Sequence, residues 1–402
     1  MLDFSRQFTV LREEIMDAIA AVCESQSLIL GPRVAAFETA AASACASAFA
    51  IGCASGTDAL WLALAAAGIG DSSSSARAAC PAPAVITTPF SFFATASSIL
   101  RSGARPVFAD IDPRSFNLSP ESVAEVLRKP GGEQVKAVLA VHLYGQCADW
   151  DGLEALKHDN PGLLLLEDAA QAFGAAWESP SRQGRPAGSL GLAAAFSFYP
   201  TKNLSAYGDA GAVTTNNPEM AEHMRRLRNH GMPRRYVHEE FGWNCRLDAM
   251  QAAILRVKLK YVEGWNQARR QRASAYDRLF AESGLARSQS TISNQQSTIP
   301  DDFPIHLPQT AVKAHHVFHQ YVVRAYRRDE LREFLTARKI GTEVYYPIPL
   351  HLQPCFAYLG YREGDFPAAE RAAKEVLALP MFPELTEEEQ RWVVKSIADF
   401  YC

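Results

Sequence analysis

An acid and an amine, each placed where a short apolar run breaks off, are the residues of this chain best suited to chemistry. The acid is Asp168, at the end of Leu163-Leu-Leu-Leu-Glu-Asp168 and three residues before Gln171. The amine is Lys202, in Phe196-Ser-Phe-Tyr-Pro-Thr-Lys202-Asn-Leu. A lone lysine in a loop is most often a solvated surface group. Here an apolar run precedes it and Pro200 fixes the turn, and near-apolar surroundings lower a lysine's pKa as imine chemistry requires. Asp168 can equally be a strand-ending acid that caps the next helix. Its other reading is a buried carboxylate, which needs a cationic partner because an isolated buried charge is costly. A pyridinium nitrogen is such a partner, so the pair suits pyridoxal phosphate: a lysine for covalent attachment and an aspartate that keeps the ring nitrogen protonated.

Such a pair has to be carried by strands. An apolar run of strand length bounded by breakers is consistent with a strand buried on both faces, and open α/β sheets form their sites where such strands end. Strand and helix signals alternate along much of the chain. Phe49–Leu60 reads as a strand, a small-residue turn and a new helix, and Val85–Pro89, Arg105–Asp112 and Ala137–Gly145 read as strand segments, with a helix from near Ser119 between the last two. That pattern predicts an α/β fold whose large domain has a mostly parallel sheet covered by helices. Ser55-Gly56-Thr57-Asp58 reads as a turn into a helix, either an ordinary cap or a phosphate site at free backbone N–H groups. Phe92 opens a further helix and can lie against an aromatic ring or pack in the core.

Length and composition set the bounds. A chain of 402 residues predicts two unequal domains, read as residues 1–250 with an N-terminal helical segment and residues 251–402 with a linking helix. The smaller C-terminal α/β domain is expected to hold strands at His319–Arg324 and Gly341–Tyr346, a helix over Asp329–Arg338, and helices to the end. The long helical period from Leu247 to Ser283 is expected to break near Gly264. Residues 71–84 and 284–312 carry no period and read as a loop and a surface insertion. A net charge of −4 offers no basic field for nucleic acid or anionic membrane. No apolar stretch is long enough to span a bilayer, and no signal peptide is read at the start. The eight cysteines lack metal-ligand spacing, so no metal site is expected, and reduced thiols in the cytoplasm are the default.

The motifs in their order resemble a known family. Gly31-Pro32 with Phe37-Glu38, Ser55–Leu60, Thr88–Phe92, Glu167–Gln171, Ser197–Leu204, Gly208-Asp-Ala-Gly-Ala212, Gly242–Leu247 and His319-Gln-Tyr321 are similar to the PLP-dependent sugar-nucleotide aminotransferases, the DegT/DnrJ/StrS family of fold type I. The resemblance spans nearly the whole chain and implies a transaminase. Lys202 would attach the cofactor covalently and move the proton, and Asp168 would face the pyridine nitrogen. Phe92 would stack on the ring and Gln171 approach its phenolic oxygen, while Gly56, Thr57 and Ser197 hold the phosphate. Asn244 would complete that site from a neighbouring subunit in a homodimer with shared active sites.

Arg246, His319 and Tyr345 are the resemblance's candidates for substrate contact. The implied donor is glutamate and the acceptor a nucleotide-linked keto-sugar. Tyr345-Tyr-Pro-Ile-Pro-Leu-His351 resembles members that aminate C3 of dTDP- or UDP-sugars, in the synthesis of amino sugars for surface polysaccharides. A 4-keto acceptor, a PLP-dependent sugar dehydratase and a non-catalytic PLP-binding regulator are the alternatives. Lys202, where the dehydratases carry histidine, speaks against the second, and the intact Lys-Asp-Gln-Ser set against the third. The loop at 71–84 and the segment 284–312 depart from the family pattern between its motifs, and Gly208-Asp-Ala-Gly-Ala212 replaces a more usual glycine pair.

Overall fold

Short runs of Val, Ile, Leu and Ala, buried on both faces, build the element that carries the site. The computed structural model describes residues 3–70, 82–179, 182–287 and 303–402. Its strands begin with β1 (Phe49–Cys53), β2 (Ala84–Thr87), β3 (Arg105–Phe108), β4 (Val135–Val141) and β5 (Leu164–Asp168). They continue with β6 (Ala176–Ser179), β7 (Arg182–Pro186), β8 (Ala193–Ser197) and β9 (Gly211–Thr215). A seven-stranded sheet has the order β1-β9-β8-β5-β4-β2-β3. The five strands from β8 to β3 run parallel; β9 alone is reversed, and the edge strand β1, antiparallel to β9, runs with the five. This is the α/β fold with a mostly parallel central sheet that the alternating pattern predicts.

Helices cover the sheet. They are α1 (Phe4–Ser25), α2 (Gly31–Ala44), α3 (Gly56–Ala66), α4 (Phe93–Ser102), α5 (Pro120–Arg128), α6 (Trp150–Asp159) and α7 (Pro218–Leu227). Local chemistry fixes where they start: the side chains of Ser55, Ser119, Asp149 and Asn217 accept from backbone N–H groups in the first turns of α3, α5, α6 and α7. After them come α8 (Ala249–Leu259) and α9 (Val262–Glu282). The break between these two falls at Lys260–Tyr261, four residues ahead of the expected Gly264; that glycine lies inside α9 with open space around it.

The C-terminal segment adds β10 (Ile305–His306), β11 (Ala314–His315), β12 (Tyr321–Ala325), α10 (Arg328–Ala337), α11 (Pro367–Glu375), β13 (Val376–Leu379) and α12 (Glu387–Tyr401). β10, β12 and β13 form a three-stranded sheet, and β11 joins the β6–β7 hairpin in another. Two expectations need correction here. The segment Gly341–Tyr346 is not a strand; it makes one backbone bridge, between Glu343 and Ala378, and the prolines at 347 and 349 remove donors just beyond it. The place beside β12 is taken by Val376–Leu379, a four-residue apolar run that cannot be told from helix by periodicity. The core is continuous across the two sheets: Phe108 at the end of β3, with Phe90 and Tyr144 from the large sheet's loops, packs in one cluster with Tyr276 of α9, Tyr321 of β12 and Leu377 of β13. Residues 71–81 and 288–302, most of the two segments read as loop and insertion, lie outside the described residues.

Candidate active site

β5 and β8 are neighbours in the parallel part of the sheet, so Asp168 at the end of one and the Lys202 turn after the other open on the same edge. Asp168 is only 4% exposed. Its Oδ2 accepts from the hydroxyl of Thr95 at 2.7 Å and its Oδ1 from the amide of Ala170 at 3.2 Å. Ser91 Oγ lies 2.8 Å from the same threonine oxygen. Burial pushes the Asp168 carboxyl up, and the two hydrogen bonds and the Lys202 ammonium oppose it. Lys202 is half-buried, and burial pushes its amine down to about 8 against the pull of Asp168. Its turn is closed by the Lys202 amide donating to Tyr199 O at 2.8 Å and the Ala206 amide to Phe198 O at 2.8 Å. Among the described residues neither Asp168 nor Lys202 forms a close ion pair. The carboxylate therefore lacks a matched cation, as a partner for a ring nitrogen would.

A second feature sits beside the pair. Gly56 begins α3, and a Cβ built on it would meet Ser197 Cβ at 2.6 Å and its Oγ at 3.1 Å. The helix N-terminus and the serine thus share one small space, with Thr57 half-buried next to them. At Gly211 an added Cβ would stand 2.4 Å from the carbonyl of Ser55, so the strand backing this turn also needs glycine. Free helix N–H groups, a dipole end and a hydroxyl around one concavity suit a phosphate.

The aromatic wall comes from two distant segments. Phe92 is 59% exposed and its ring lies 6.2 Å from that of Tyr346, tilted at 42°. Gln171 accepts from the Tyr144 amide at 2.7 Å and donates to the Tyr346 hydroxyl at 3.1 Å. The carbonyl of Tyr345 accepts from the Tyr144 hydroxyl. Thus the site brings Gln171 and Phe92 to Tyr346, with Asp168 near enough to act on its hydroxyl and Lys202 near Asp168; Tyr345 is next in sequence. Two side chains here escaped the sequence reading as site members. Thr95 looked like any threonine in a first helical turn, although it lies one turn from Phe92. Tyr346 differs from Tyr345 by nothing local; only the fold turns its hydroxyl to Gln171.

The remaining candidates stand apart. Asn244 is exposed, paired through its backbone with Asn229. Arg246 is half-buried beside the end of β1 and donates from Nη1 to Asn229 Oδ1 at 3.0 Å. His319 is 6% exposed and its Nδ1 lies 3.1 Å from Asn203 Oδ1, on the buried side of the lysine turn rather than on an open face. Among the described residues there is no group of three or more His, Cys, Asp or Glu that could hold a metal, and no helix long and apolar enough to cross a membrane.

Comparison with known proteins gives one consistent result. The model of the DegT/DnrJ/EryC1/StrS aminotransferase family matches residues 9–398. The chain is 47% identical over 401 residues to a protein of Geobacillus stearothermophilus named a pleiotropic regulatory protein, covering 100% of this chain and 98% of that one. It is 39% identical to the UDP-N-acetyl-3-dehydro-alpha-D-glucosamine 3-aminotransferase of Acidithiobacillus ferrooxidans, with 97% and 94% of the two chains covered. Among solved structures, S. venezuelae DesV in complex with a ketimine intermediate superimposes with a TM-score of 0.86 at 39% identity, over 99% of this chain and 97% of that one.

Proposed function

The chain belongs to the DegT/DnrJ/EryC1/StrS aminotransferase family, and on that premise we propose that it uses pyridoxal phosphate to move an amino group from glutamate to the C3 ketone of a nucleotide-linked sugar. The observation that carries the reading is the buried carboxylate of Asp168, without a matched cation, on the same sheet edge as an amine whose pKa burial has brought to about 8. When bound, pyridoxal phosphate supplies an aldehyde carbon for the amine and a ring that accepts electrons.

The side chains have distinct tasks in this reading. Lys202 holds the cofactor covalently, and its Nζ, neutral in a large fraction of molecules near pH 8, takes and returns the substrate's proton. Asp168, oriented by Thr95, stays ionised against the ring nitrogen. The N-terminus of α3 at Gly56 and Thr57, with Ser197, holds the phosphate, while Phe92 covers the ring and Gln171 faces its phenolic oxygen. Tyr345 contacts substrate, and Arg246, which stands apart from the pocket of its own chain, does so from the neighbouring subunit. The exposed rings of Phe92, Phe241 and Trp243 and the exposed Asn244 support a homodimer in which Asn244 reaches the partner's phosphate site. The C3 position rests on the Acidithiobacillus relative and on the Tyr345–His351 segment; C4 is the alternative acceptor. In this reading the enzyme works in the cytoplasm and its product goes to amino-sugar polymers.

The rival reading is a regulator that binds the cofactor without turnover; the name of the Geobacillus relative is no argument for it, because other relatives that match nearly the whole chain are named sugar-nucleotide aminotransferases. A visible spectrum separates the two. Glutamate should bleach the yellow absorbance of the loaded protein, and a panel of nucleotide 3-keto- and 4-keto-sugars should then restore it with an aminated product seen by mass spectrometry. Lys202→Ala should bind the cofactor without turnover. Full turnover in Lys202→Ala, or no bleaching by any amino donor in the wild-type protein, overturns the aminotransferase reading.

A further inference from the structure

The residue after the lysine is buried and bound in a way the chemistry above does not use. Asn203 Nδ2 donates to Asn266 Oδ1 of α9 at 2.7 Å and to the carbonyl of Val317 at 3.2 Å. Asn266, with no exposed surface, donates in turn from Nδ2 to Phe173 O at 3.1 Å. Both donors of Asn203 are therefore committed, which fixes its amide orientation and leaves Oδ1 as an acceptor facing His319 Nδ1. The histidine must carry its proton on that nitrogen. The result is one directed chain, His319 to Asn203 to Asn266 to Phe173, in which every donor points away from the histidine and each bond polarises the next.

This chain ties four separate segments. Phe173 belongs to the stretch after β5, Asn203 to the lysine turn, Asn266 to α9, and His319 to the lead into β12. The last of these is held independently: Arg269 of α9, itself buried, donates from Nη1 to Phe318 O and His319 O at 3.2 Å each and to Met381 O at 3.1 Å. The Val317 amide also donates to Gly145 O at 3.0 Å. No room exists to slide the parts, since a Cβ at Gly174 would meet Asn266 Nδ2 at 2.4 Å and one at Gly145 would meet the His319 amide at 3.0 Å.

We propose that Asn203 and His319 are positioning residues for Lys202, which make the stance of the amine depend on the seating of the C-terminal module against α9. The inference rests on the cofactor reading for its kinetic test, but the position of the amine is itself measurable without cofactor. It replaces the role of substrate contact for His319 that the motif resemblance implies. The charged and titratable groups facing His319 are Lys202, Arg269 and His316; the one facing Lys202 besides is Asp168.

Three variants test it. His319→Leu keeps bulk and removes the donor, His319→Asn keeps an N–H at the place of Nδ1, and Asn266→Ser weakens the chain at a residue that touches neither Lys202 nor substrate. In the loaded enzyme, His319→Leu should lower kcat about 10- to 100-fold with KM for glutamate and sugar nearly unchanged, as misplacement of a reacting group by about 1 Å does. His319→Asn should restore most of that loss, and Asn266→Ser, the arm that survives if the leucine variant fails to fold, should lower kcat about tenfold.

In the full-length protein without cofactor, trinitrobenzenesulfonate labelling of Lys202 against pH, read by peptide mass spectrometry, should shift its midpoint by about half a pH unit or more in His319→Leu and Asn266→Ser. An unchanged labelling midpoint in both variants overturns the proposal. So does a rise in KM alone, which would make His319 a substrate ligand, or equal damage from His319→Asn and His319→Leu. Because labelling needs no cofactor, failure of the aminotransferase reading leaves this outcome legible.

Discussion

Asp168 gives up nearly all contact with water and receives two hydrogen bonds in return, so the short bond from Thr95 governs how readily it stays ionised. Hydrogen bonding to a carboxylate favours its charged form, and removing the donor raises its pKa. Thr95→Val, similar in shape, should therefore move the acid limb of the kcat/KM profile to higher pH and lower the rate near neutrality by about tenfold, since one neutral-to-charged hydrogen bond contributes on the order of 1.5–3 kcal/mol. Asp168→Asn goes further: the ring nitrogen loses its anion, and kcat should fall by about 10² to 10³, the scale of one preorganised electrostatic group. A pH–rate profile for each variant checks both. An unmoved acid limb in Thr95→Val would mean that the threonine only fills space. Legibility at this scale was uneven for a physical reason. Lys202 and Asp168 could be read because each ends an apolar run, whereas Thr95 and Tyr346 earn their place only through contacts across 73 and 175 residues.

A strand buried on both faces leaves a plain record in sequence, as β5 and β8 do, while a turn or a partly exposed strand does not. The β6–β7 hairpin carries Glu, Ser, Arg, Gln and Gly among its few apolar residues, so no apolar run marks it in the sequence, and β13 is too short for its period to speak. The start of α3 reads as a turn into a helix, and Ser55 does cap it; what the sequence cannot show is how closely Gly56 and Ser197 approach there. Gly56→Ala should weaken cofactor binding by about tenfold or more and also lower the thermal midpoint, because the added methyl meets Ser197 Cβ at 2.6 Å and Cα at 3.2 Å, atoms that move only if the end of β8 shifts.

On α8 the buried amine of Lys258, 1% exposed, donates to Ser205 Oγ at 2.9 Å and lies 4.6 Å from the centre of the Tyr207 ring. Burial holds its pKa down to about 8. Between pH 8 and roughly 10 the unfolded chain binds a proton that the folded one does not, so stability rises with pH across that window and is lost as pH falls through it. Lys258→Met should flatten this slope and raise stability at neutral pH by about 1–2 kcal/mol, as replacing an unpaired buried charge with an apolar side chain does. Urea unfolding at several pH values reads the change, and a variant less stable at neutral pH would show that the bond to Ser205 and the ring contact outweigh the desolvation.

At the scale of the whole molecule, one core runs from the loops of the large sheet through α9 into β12 and β13, so the C-terminal module closes over the edge where Asp168 and Lys202 open. What the single chain leaves uncovered is then informative. Phe241 and Trp243 are 69% and 54% exposed on either side of Gly242, two rings that a soluble surface seldom shows together, and the exposed Asn244 follows them. The segment is anchored from behind, where Arg228 bonds both Glu38 and the carbonyl of Gly52, and the Trp243 amide donates to Leu227 O at 2.8 Å. A rigid base under an exposed apolar rim suits a second copy better than a mobile lid.

If two copies share each site, an isologous pair must place Lys202 of one subunit with Asn244 of the other. Lys202→Ala and Asn244→Ala dimers, the second a variant with weakened cofactor binding, should then complement when unfolded and refolded together. The mixed dimer carries one site with both lesions and one with neither, so random assortment should restore about a quarter of wild-type sites. Activity that rises to this level only on mixing, with cofactor affinity of the restored sites equal to wild type, is the expected result. Activity of the mixture no greater than the sum of its parts, in dimers shown to have exchanged subunits, would mean that each chain builds its phosphate site alone.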